Sequence, residues 1–374
     1  MKLSIKGLPT PTTNWSLLPY MSSYFTGGTA GRQYLKLYGT VLPMTTHETK
    51  ELIRVRSQLM QEIRSFFNSA GFLEVETPSI AAQLIPEPSI QYFSTELTHA
   101  FAGNRMLYLI PSPEIHMKRL IAKYEASINQ ICKCFRNSEQ IGHLHNPEFT
   151  MLEWYAMGCT YTDSIDILRD LLRHIQPYDM DGACSQPIEV ISMSEACMQY
   201  GSFDLEALQD TESLYQQAHT LGMSISGPLD AYTWEELFNL MFLTFVEPEL
   251  PRAHPVVVKD YPKQIACLAK DIPGTPWKER WECYINGMEI ANCFTEETDP
   301  VKVSSYFTHA SSTLAEQAQA AGTSVPGIDH TFPEIFHQSL VCSGTALGID
   351  RLIMALTGEK DIQGVILFPL SDIL

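Results

Sequence analysis

The 374-residue chain contains few basic residues for its size: 25 lysines and arginines stand against 43 aspartates and glutamates, giving a formal net charge of −18. A protein that follows a nucleic-acid backbone needs clustered Lys and Arg to neutralise the phosphates. The shortage therefore argues against a broad polyanion-binding surface. An acidic chain suits a cationic small substrate, or a partner that presents lysine, although a negative charge can also serve solubility alone.

Paired cysteines and long apolar runs are missing as well. The nine cysteines include no Cys-x-x-Cys pair of a zinc site, and their odd number argues against a disulfide framework. No apolar run approaches the roughly 18 residues of a membrane span. There is also no signal-peptide core and no Gly-x-Gly-x-x-Gly or P-loop string. These absences predict a cytoplasmic protein with reduced thiols and no membrane association.

Residues 131–155 (ICKCFRNSEQIGHLHNPEFTMLEWY) predict a strand, a polar loop and a return strand. Alternation along the return strand places four side chains on one face: Phe149, Met151, Glu153 and Tyr155. Arg136 ends the first strand, where its guanidinium can bind an anion through two parallel hydrogen bonds, as lysine cannot. The pattern favours a nucleotide-phosphate site beside an acidic, aromatic-lined face. A single Phe-Arg-Asn on a strand, however, is more often a salt-bridged edge arginine.

Two helix starts frame this hairpin. Residues 45–48 form a capping-box pattern, and apolar residues then recur every three or four positions until Gly71, which predicts a long amphipathic helix. Further along, Ser112 is predicted to cap a second helix that has Pro113 at its first position and Glu114 behind it. Taken alone, each pattern indicates only an ordinary capped helix.

The C-terminal third contains two further signals. Residues 281–293 predict a β-hairpin with a type I′ turn at its Asn-Gly pair. Glu289 and Glu296 lie seven residues apart. Two carboxylates near a triphosphate would hold Mg²⁺. Two glutamates taken alone, however, more often belong to a solvated face. Small residues at 343–348 then lead into a helix that carries Arg351 in its first turn and ends at Gly358, an arrangement that favours phosphate.

Together these runs resemble motifs 1, 2 and 3 of the class II aminoacyl-tRNA synthetases, and residues 145–155 resemble the lysine-specific branch in particular. The resemblance covers residues 46–374. It implies an α+β fold, with an antiparallel sheet flanked by helices, and a homodimer formed through the motif 1 helix. It also implies that ATP and Mg²⁺ activate an amino acid as an aminoacyl-adenylate, without a covalent enzyme nucleophile.

The resemblance assigns roles to individual residues of this chain. The catalytic residues would be Arg136 and Arg351. The substrate contacts would be Ser112, Pro113, Glu114, Tyr155, Glu296 and Ala346. The ATP contacts would be Arg136, Asn137, Ser138, Glu139, Asn146, Glu289, Ile290, Gly348 and Arg351, and the metal ligands would be Glu289 and Glu296.

Two positions depart from the family pattern. The motif 2 arginine of the family is followed two residues later by a glutamate, whereas here that position is Ser138 and Glu139 comes next. One hypothesis is a one-residue bulge that lets Glu139 take the acidic role; the rival hypothesis is that the contact is lost. The second departure is Cys293, where the family commonly has glycine.

The predicted domain organisation is an N-terminal extension of unknown role (1–45) and a catalytic domain (46–374) with a helical insertion at about 178–255. Forty-five residues are too few for the anticodon-binding barrel of lysyl-tRNA synthetases, so stable tRNA binding is not expected. The chain thereby resembles the free-standing elongation factor P lysine ligases, as does Ala346 in place of a glycine. That resemblance implies (R)-β-lysine or lysine as substrate and elongation factor P as acceptor. The alternatives are a truncated lysyl-tRNA synthetase-like enzyme that charges tRNA and a non-catalytic regulatory paralogue.

Overall fold

The computed structural model describes residues 46–101, 103–137, 142–322 and 324–373, without the side chains of residues 46–49 and 321. The helices are α1 (Thr46–Ser69), α2 (Glu114–Tyr124), α3 (Tyr161–Ile175), α4 (Met193–Gly201), α5 (Thr211–Thr220), α6 (Trp234–Met241), α7 (Pro300–Ala321), α8 (Ile349–Thr357) and α9 (Leu370–Ile373). The strands are β1 (Leu73–Glu74), β2 (Ile80–Ala81), β3 (Ser94–Leu97), β4 (Arg105–Leu109), β5 (Ile128–Phe135), β6 (Glu148–Met157), β7 (Glu189–Ser192), β8 (Val256–Pro262), β9 (Trp277–Ile285), β10 (Met288–Thr295) and β11 (Cys342–Gly348). The predictions for residues 1–45, Ser138 and Glu139 lie outside the described residues. Across those described residues, no helix combines the length and apolar character that a bilayer crossing requires.

An eight-stranded sheet in the order β1-β5-β6-β11-β10-β9-β8-β7 forms the centre of the fold. Adjacent strands in the run β5-β6-β11-β10-β9-β8 are all antiparallel. At the two edges, β1 lies parallel to β5 and β7 lies parallel to β8. A separate three-stranded sheet has the order β2-β4-β3. The predicted α+β fold with an antiparallel sheet flanked by helices is confirmed, with parallel strands added at both edges.

The main hydrophobic core lies between one face of the large sheet and the helices packed on it. Helices α3 and α8 cover this face, where Trp154 and Trp281 are fully buried beside Leu172 and Ile353. Side chains alternate along a strand, so the neighbours of these core residues point to the opposite face. That opposite face carries the polar residues of β6, β9 and β10.

Helix α1 is tied to the sheet through an ion-pair network as well as through apolar contacts. Nη1 of Arg56 lies 2.6 Å from Oδ1 of Asp350 at the start of α8, and Nη2 donates to the Thr150 hydroxyl on β6 at 2.7 Å. The amide of Thr150 in turn donates to Asp350 at 2.7 Å. Three elements that the resemblance places in motifs 1, 2 and 3 are therefore joined in one network.

Two local predictions have opposite outcomes. Asn286 and Gly287 both have positive φ, 55° and 76°, which confirms the type I′ turn between β9 and β10. Ser112, however, does not cap α2: Pro113 is the N-cap residue, and no side chain forms a capping hydrogen bond. The prediction was wrong by one position because Ser112 faces a cavity, where its side chain is placed by tertiary structure rather than by the helix end.

Residues 178–255 contain α4, α5 and α6 and also the edge strand β7. Their apolar side chains form a second core against β8, in which Trp234, Phe238 and Phe242 stack with ring centroids 5.1 and 5.9 Å apart. The description of this segment as an insertion, like the predicted domain boundaries, stays a prediction.

Candidate active site

A cavity of about 950 Å³ lies on the polar face of the large sheet. Its floor is built from β6, β9, β10 and β11, and its walls come from residues 85–90, the start of α2, α6 and α7. Met151, Glu153 and Tyr155 of β6 line it together, as the alternation of the motif 2 strand predicts. The cavity therefore lies where the sequence places the substrate.

A bulge in β10 decides which glutamates share this face. Glu289 and Ala291 lie opposite consecutive residues of β9, so Ile290 is an extra residue in the ladder. In a regular strand Glu289 and Glu296, seven residues apart, would point to opposite faces. The bulge turns Glu289 into the cavity with Asn292 and Glu296. The side chain of Ile290 lies in the hydrophobic core, and its predicted role as an ATP contact stays a prediction.

Acidic side chains dominate the cavity wall. Its glutamates are Glu87, Glu114, Glu153, Glu235, Glu236, Glu247, Glu282, Glu289 and Glu296. Among the described residues, two arginines, Arg136 and Arg280, line the same wall. Such a surface favours a cationic ligand, in agreement with the acidic composition of the chain.

Lys118 is buried behind the cavity wall, next to the lining residues Glu114 and Glu296. Its side chain has no exposed surface, and Nζ forms ion pairs with Glu114 and, at 2.7 Å, with Glu296. Nζ also lies 5.1 Å from the ring centroid of Phe294. Burial lowers the pKa of Lys118, but the carboxylates of Glu114 and Glu296 outweigh burial and hold it above its ordinary value. Burial raises the pKa of Glu296 to about 7 although Lys118 opposes the shift.

Glu282 and Glu289 form a second acidic pair. Glu282 accepts hydrogen bonds from Tyr284 Oη at 2.6 Å and from Arg280 Nη2 at 2.7 Å. Burial, followed by the charge of Glu282, raises the pKa of Glu289 to about 7. Two coupled carboxylates match the sparse oxygen donor set that Mg²⁺ takes alongside phosphates. No cluster of three or more metal-ligating side chains occurs in the described parts of the chain.

Arg136 stands beside the aromatic face of the motif 2 hairpin. Its guanidinium carbon lies 5.3 Å from the ring centroid of Phe149, and its backbone amide donates to the Pro147 carbonyl at 3.0 Å. On the same face Tyr155 Oη donates to Glu153 at 2.8 Å, and burial raises the pKa of Glu153. The hairpin thus places a cation at the cavity wall and a buried carboxyl behind it.

The predicted site residues Asn146, Gly348 and Arg351 do not line the cavity but contact the elements that form it. Arg351 Nη1 donates to the Glu289 carbonyl at 2.8 Å, and Nη2 lies 2.8 Å from His145 Nε2. Gly348 is the N-cap of α8. Asn146 donates to the Glu148 carbonyl and accepts from the Leu370 amide. Arg351 therefore joins the motif 2 loop to the bulged strand.

The small residues of β11 are required by close packing. A Cβ at Gly344 would lie 2.7 Å from the Tyr155 ring, closer than such atoms approach. Ala346 lies opposite Glu153 on β6 and opposite Asn292 on β10, and it lines the cavity. A side chain larger than alanine at position 346 would extend into the cavity.

Sequence reasoning missed Lys118, Arg280, Glu282 and the whole contribution of α6 to the wall. The alternation of Arg280, Glu282 and Tyr284 with apolar neighbours on β9 was the available signal for two of them. Nothing in the local pattern distinguishes Lys118 from a solvated helix lysine, because its burial depends on Glu296, which is 178 residues away in sequence.

This fold and this site define the catalytic domain of a class II synthetase. The family model "tRNA synthetases class II (D, K and N)" matches residues 32–372, and the chain belongs to this family. The more particular similarity is to the elongation factor P--(R)-beta-lysine ligases. The ligase of Vibrio atlanticus is 35% identical over 326 residues, 86% of this chain and 96% of that protein. The ligase of Vibrio cholerae is 35% identical over 321 residues, 85% of this chain and 94% of that protein.

A second group of relatives consists of tRNA ligases. The lysine--tRNA ligase of Pelotomaculum thermopropionicum is 33% identical over 338 residues, which are 86% of this chain and 64% of that protein. The predicted resemblance to the elongation factor P ligase family, as a paralogue of lysyl-tRNA synthetase, is confirmed. The protein is an ATP-dependent ligase of the class II type.

Proposed function

We propose that the protein activates (R)-β-lysine, or lysine less efficiently, with ATP and transfers it to a lysine side chain of elongation factor P in the cytoplasm, without stable tRNA binding. The observation that carries this proposal is the cavity lined by nine glutamates and by Arg136. An acid with two ammonium groups finds carboxylates there, while its own carboxylate finds an arginine. The names of the relatives that match along 94–96% of their length support the same substrate and acceptor.

The chemistry takes place in two displacement steps. The carboxylate of the amino acid attacks the α-phosphate of ATP, forming an acyl–phosphate bond and releasing pyrophosphate. The acceptor amine, after losing a proton, then attacks the acyl carbon, forming an amide and releasing AMP. Orientation in the cavity and charge compensation by Arg136 lower the barrier of the first step. No covalent intermediate on the protein is required.

We propose Glu282 and Glu289 as the Mg²⁺ ligands, in place of the predicted pair Glu289 and Glu296. The reason is that Glu296 is 1% exposed and is neutralised by the fully buried Lys118. Glu282 also pairs with Arg280, but its charge still raises the pKa of Glu289, so these two carboxylates gain from a shared cation. When bound, Mg²⁺ would neutralise phosphate charge during the displacement.

The metal assignment predicts a specific response to magnesium. Glu282→Gln is expected to raise the Mg²⁺ concentration for half-maximal ATP–pyrophosphate exchange by at least about 10-fold, because even outer partners of a metal ligand are worth that much. Glu296→Gln serves as the matched variant and should instead raise the KM for the amino acid. A shifted Mg²⁺ requirement in Glu296→Gln, with none in Glu282→Gln, would restore the pair inferred from sequence.

The homodimer stays a prediction. Exposed apolar side chains on the motif 1 elements support it: Ile53 on α1 is 47% exposed and Leu73 on β1 is 59% exposed. A contiguous apolar patch formed by these residues would be typical of a surface that is covered in an assembly.

The decisive experiment is mass spectrometry of purified elongation factor P after incubation with the protein, ATP and each lysine isomer in turn. We expect the mass of one lysyl group to be added, with the β isomer preferred. Ala346→Gly should relax the preference toward α-lysine, since one methyl group at this wall changes discrimination by about 1–3 kcal/mol. Unmodified factor together with charged lysine tRNA would identify a tRNA ligase. Failure of pyrophosphate exchange, while ATP still stabilises the protein, would identify a non-catalytic paralogue.

A further inference from the structure

Glu87 lines the cavity from a loop that hydrogen bonds hold on both sides. It lies in the loop between β2 and β3 with Pro86 and Pro88 on either side, and each proline fixes its own φ. The Glu87 amide donates to the hydroxyl of Tyr92 at 3.2 Å. From α7, the hydroxyl of Tyr306 donates to the Pro86 carbonyl at 3.0 Å. The backbone that carries this carboxylate is thus fixed from two sides.

The carboxylate of Glu87 makes no ion pair with any described residue, although it lines the cavity. The charged groups around it are Glu114 and Lys118 from α2, Arg136 from the end of β5 and Arg280 from β9, with the phenols of Tyr92 and Tyr306 alongside. Burial, followed by the charge of Glu114, raises the pKa of Glu87 to about 7. Lys118 is already engaged by Glu114 and Glu296.

A ligand cation would therefore relieve the repulsion between Glu87 and Glu114 that the nearby Lys118, Arg136 and Arg280 offset only in part. Two neighbouring carboxylates, Glu87 and Glu114, face one cavity, and a group that donates hydrogen bonds to both would stabilise their charged forms. A primary ammonium has three donors and matches this need. Glu114 belongs to the Ser-Pro-Glu turn that the family resemblance brings to the amino-acid substrate.

We propose that Glu87, together with Glu114, binds an ammonium group of the amino-acid substrate and is a specificity-determining residue of the site. The inference rests on the proposed function, because it takes the ligand of the cavity to be an amino acid with an additional amino group. It assigns a role to a residue that none of the three motifs contains, and it explains why a proline-flanked carboxylate faces the cavity without an ion pair to any described residue.

The test is the affinity for lysine in wild type and in Glu87→Gln, measured by calorimetric titration and as KM in ATP–pyrophosphate exchange. We expect Glu87→Gln to raise Kd and KM by about 10- to 100-fold with little change in kcat, as when a charge-assisted bond made equally in ground and transition states is lost. Glu87→Asp keeps the charge and should recover part of the affinity. Tyr92→Phe keeps the carboxylate but releases the loop, so it should weaken binding less than Glu87→Gln.

The pH dependence separates a binding role from a structural role. Below pH 7 a growing share of Glu87 is protonated and cannot accept from an ammonium, so the KM of wild type should fall as pH rises from about 6 to 8. The Glu87→Gln variant lacks this contribution, and its KM should change less over the same range. A structural defect would lower the thermal midpoint and leave the pH profile of KM as in wild type.

The matched control is Glu96→Gln, which removes an exposed carboxylate from β3 of the neighbouring small sheet. It should leave KM, Kd and the pH profile unchanged. If Glu87→Gln binds lysine as tightly as wild type, the inference is wrong while the proposed function stands. If wild type itself binds no lysine isomer, both are wrong.

Discussion

Replacing Arg136 by alanine is expected to lower kcat/KM for ATP–pyrophosphate exchange by about 10²–10³-fold, a loss of roughly 3–4 kcal/mol of transition-state stabilisation. The guanidinium lies at the cavity wall near the ring of Phe149, and the hydrogen bond from the Arg136 amide to the Pro147 carbonyl fixes the backbone that carries it. Charge accumulates on the α-phosphate as the carboxylate attacks. A preorganised cation compensates this charge without reorganisation, so removing the cation should lower the rate of the chemical step.

Two further variants make the Arg136 result specific. Arg136→Lys retains the charge but loses the planar fork, so we expect it to recover only a small part of the lost activity. Lys133→Ala removes an exposed cation from the same strand, paired at 3.2 Å with Glu148, and should leave exchange within about 2-fold of wild type. An Arg136→Ala protein with activity close to that of Lys133→Ala would show that Arg136 does not contact the reacting phosphate.

Replacing Lys118 by methionine is expected to reduce the free energy of unfolding by about 3–5 kcal/mol, because it leaves Glu296 buried without its counter-ion. Glu296 is 1% exposed, and Lys118 is fully buried between Glu296 and Glu114. Most of this loss in stability comes from leaving the Glu296 carboxylate buried without a counter-ion, and less comes from losing its attraction to Lys118. Chemical denaturation followed by circular dichroism measures it.

The double variant Lys118→Met with Glu296→Gln tests that reasoning. With the carboxylate neutralised, at least half of the lost stability should return, although substrate binding should not. Lys123→Met, at the exposed end of the same helix, is the control and should change stability by less than about 0.5 kcal/mol. A Lys118→Met protein as stable as the control would show that the buried ion pair is dispensable for folding.

Much of the fold could be predicted from local patterns. The alternation of β6, the amphipathic spacing of α1 and the Asn286-Gly287 turn each depend on residues a few positions apart, and the structure confirms all three. The N-cap of α2 could not be predicted, since the side chain of Ser112 faces the cavity instead of capping the helix and Pro113 is the N-cap residue. Which face of a strand becomes the site follows from the same alternation, because the apolar face is buried by helices.

The sequence by itself determined the family, the strand and turn chemistry, and the position of Arg136 beside an acidic face, because these depend on contiguous residues and a period of two. Only the tertiary structure decided which carboxylates act together. The bulge at Ile290 brings Glu289 into the cavity, and Lys118 neutralises Glu296 in a buried ion pair. A rigid loop aims Glu87 at the same space. Electrostatic partnership depends on distances of a few ångström between residues far apart in the chain, and no local pattern contains that information.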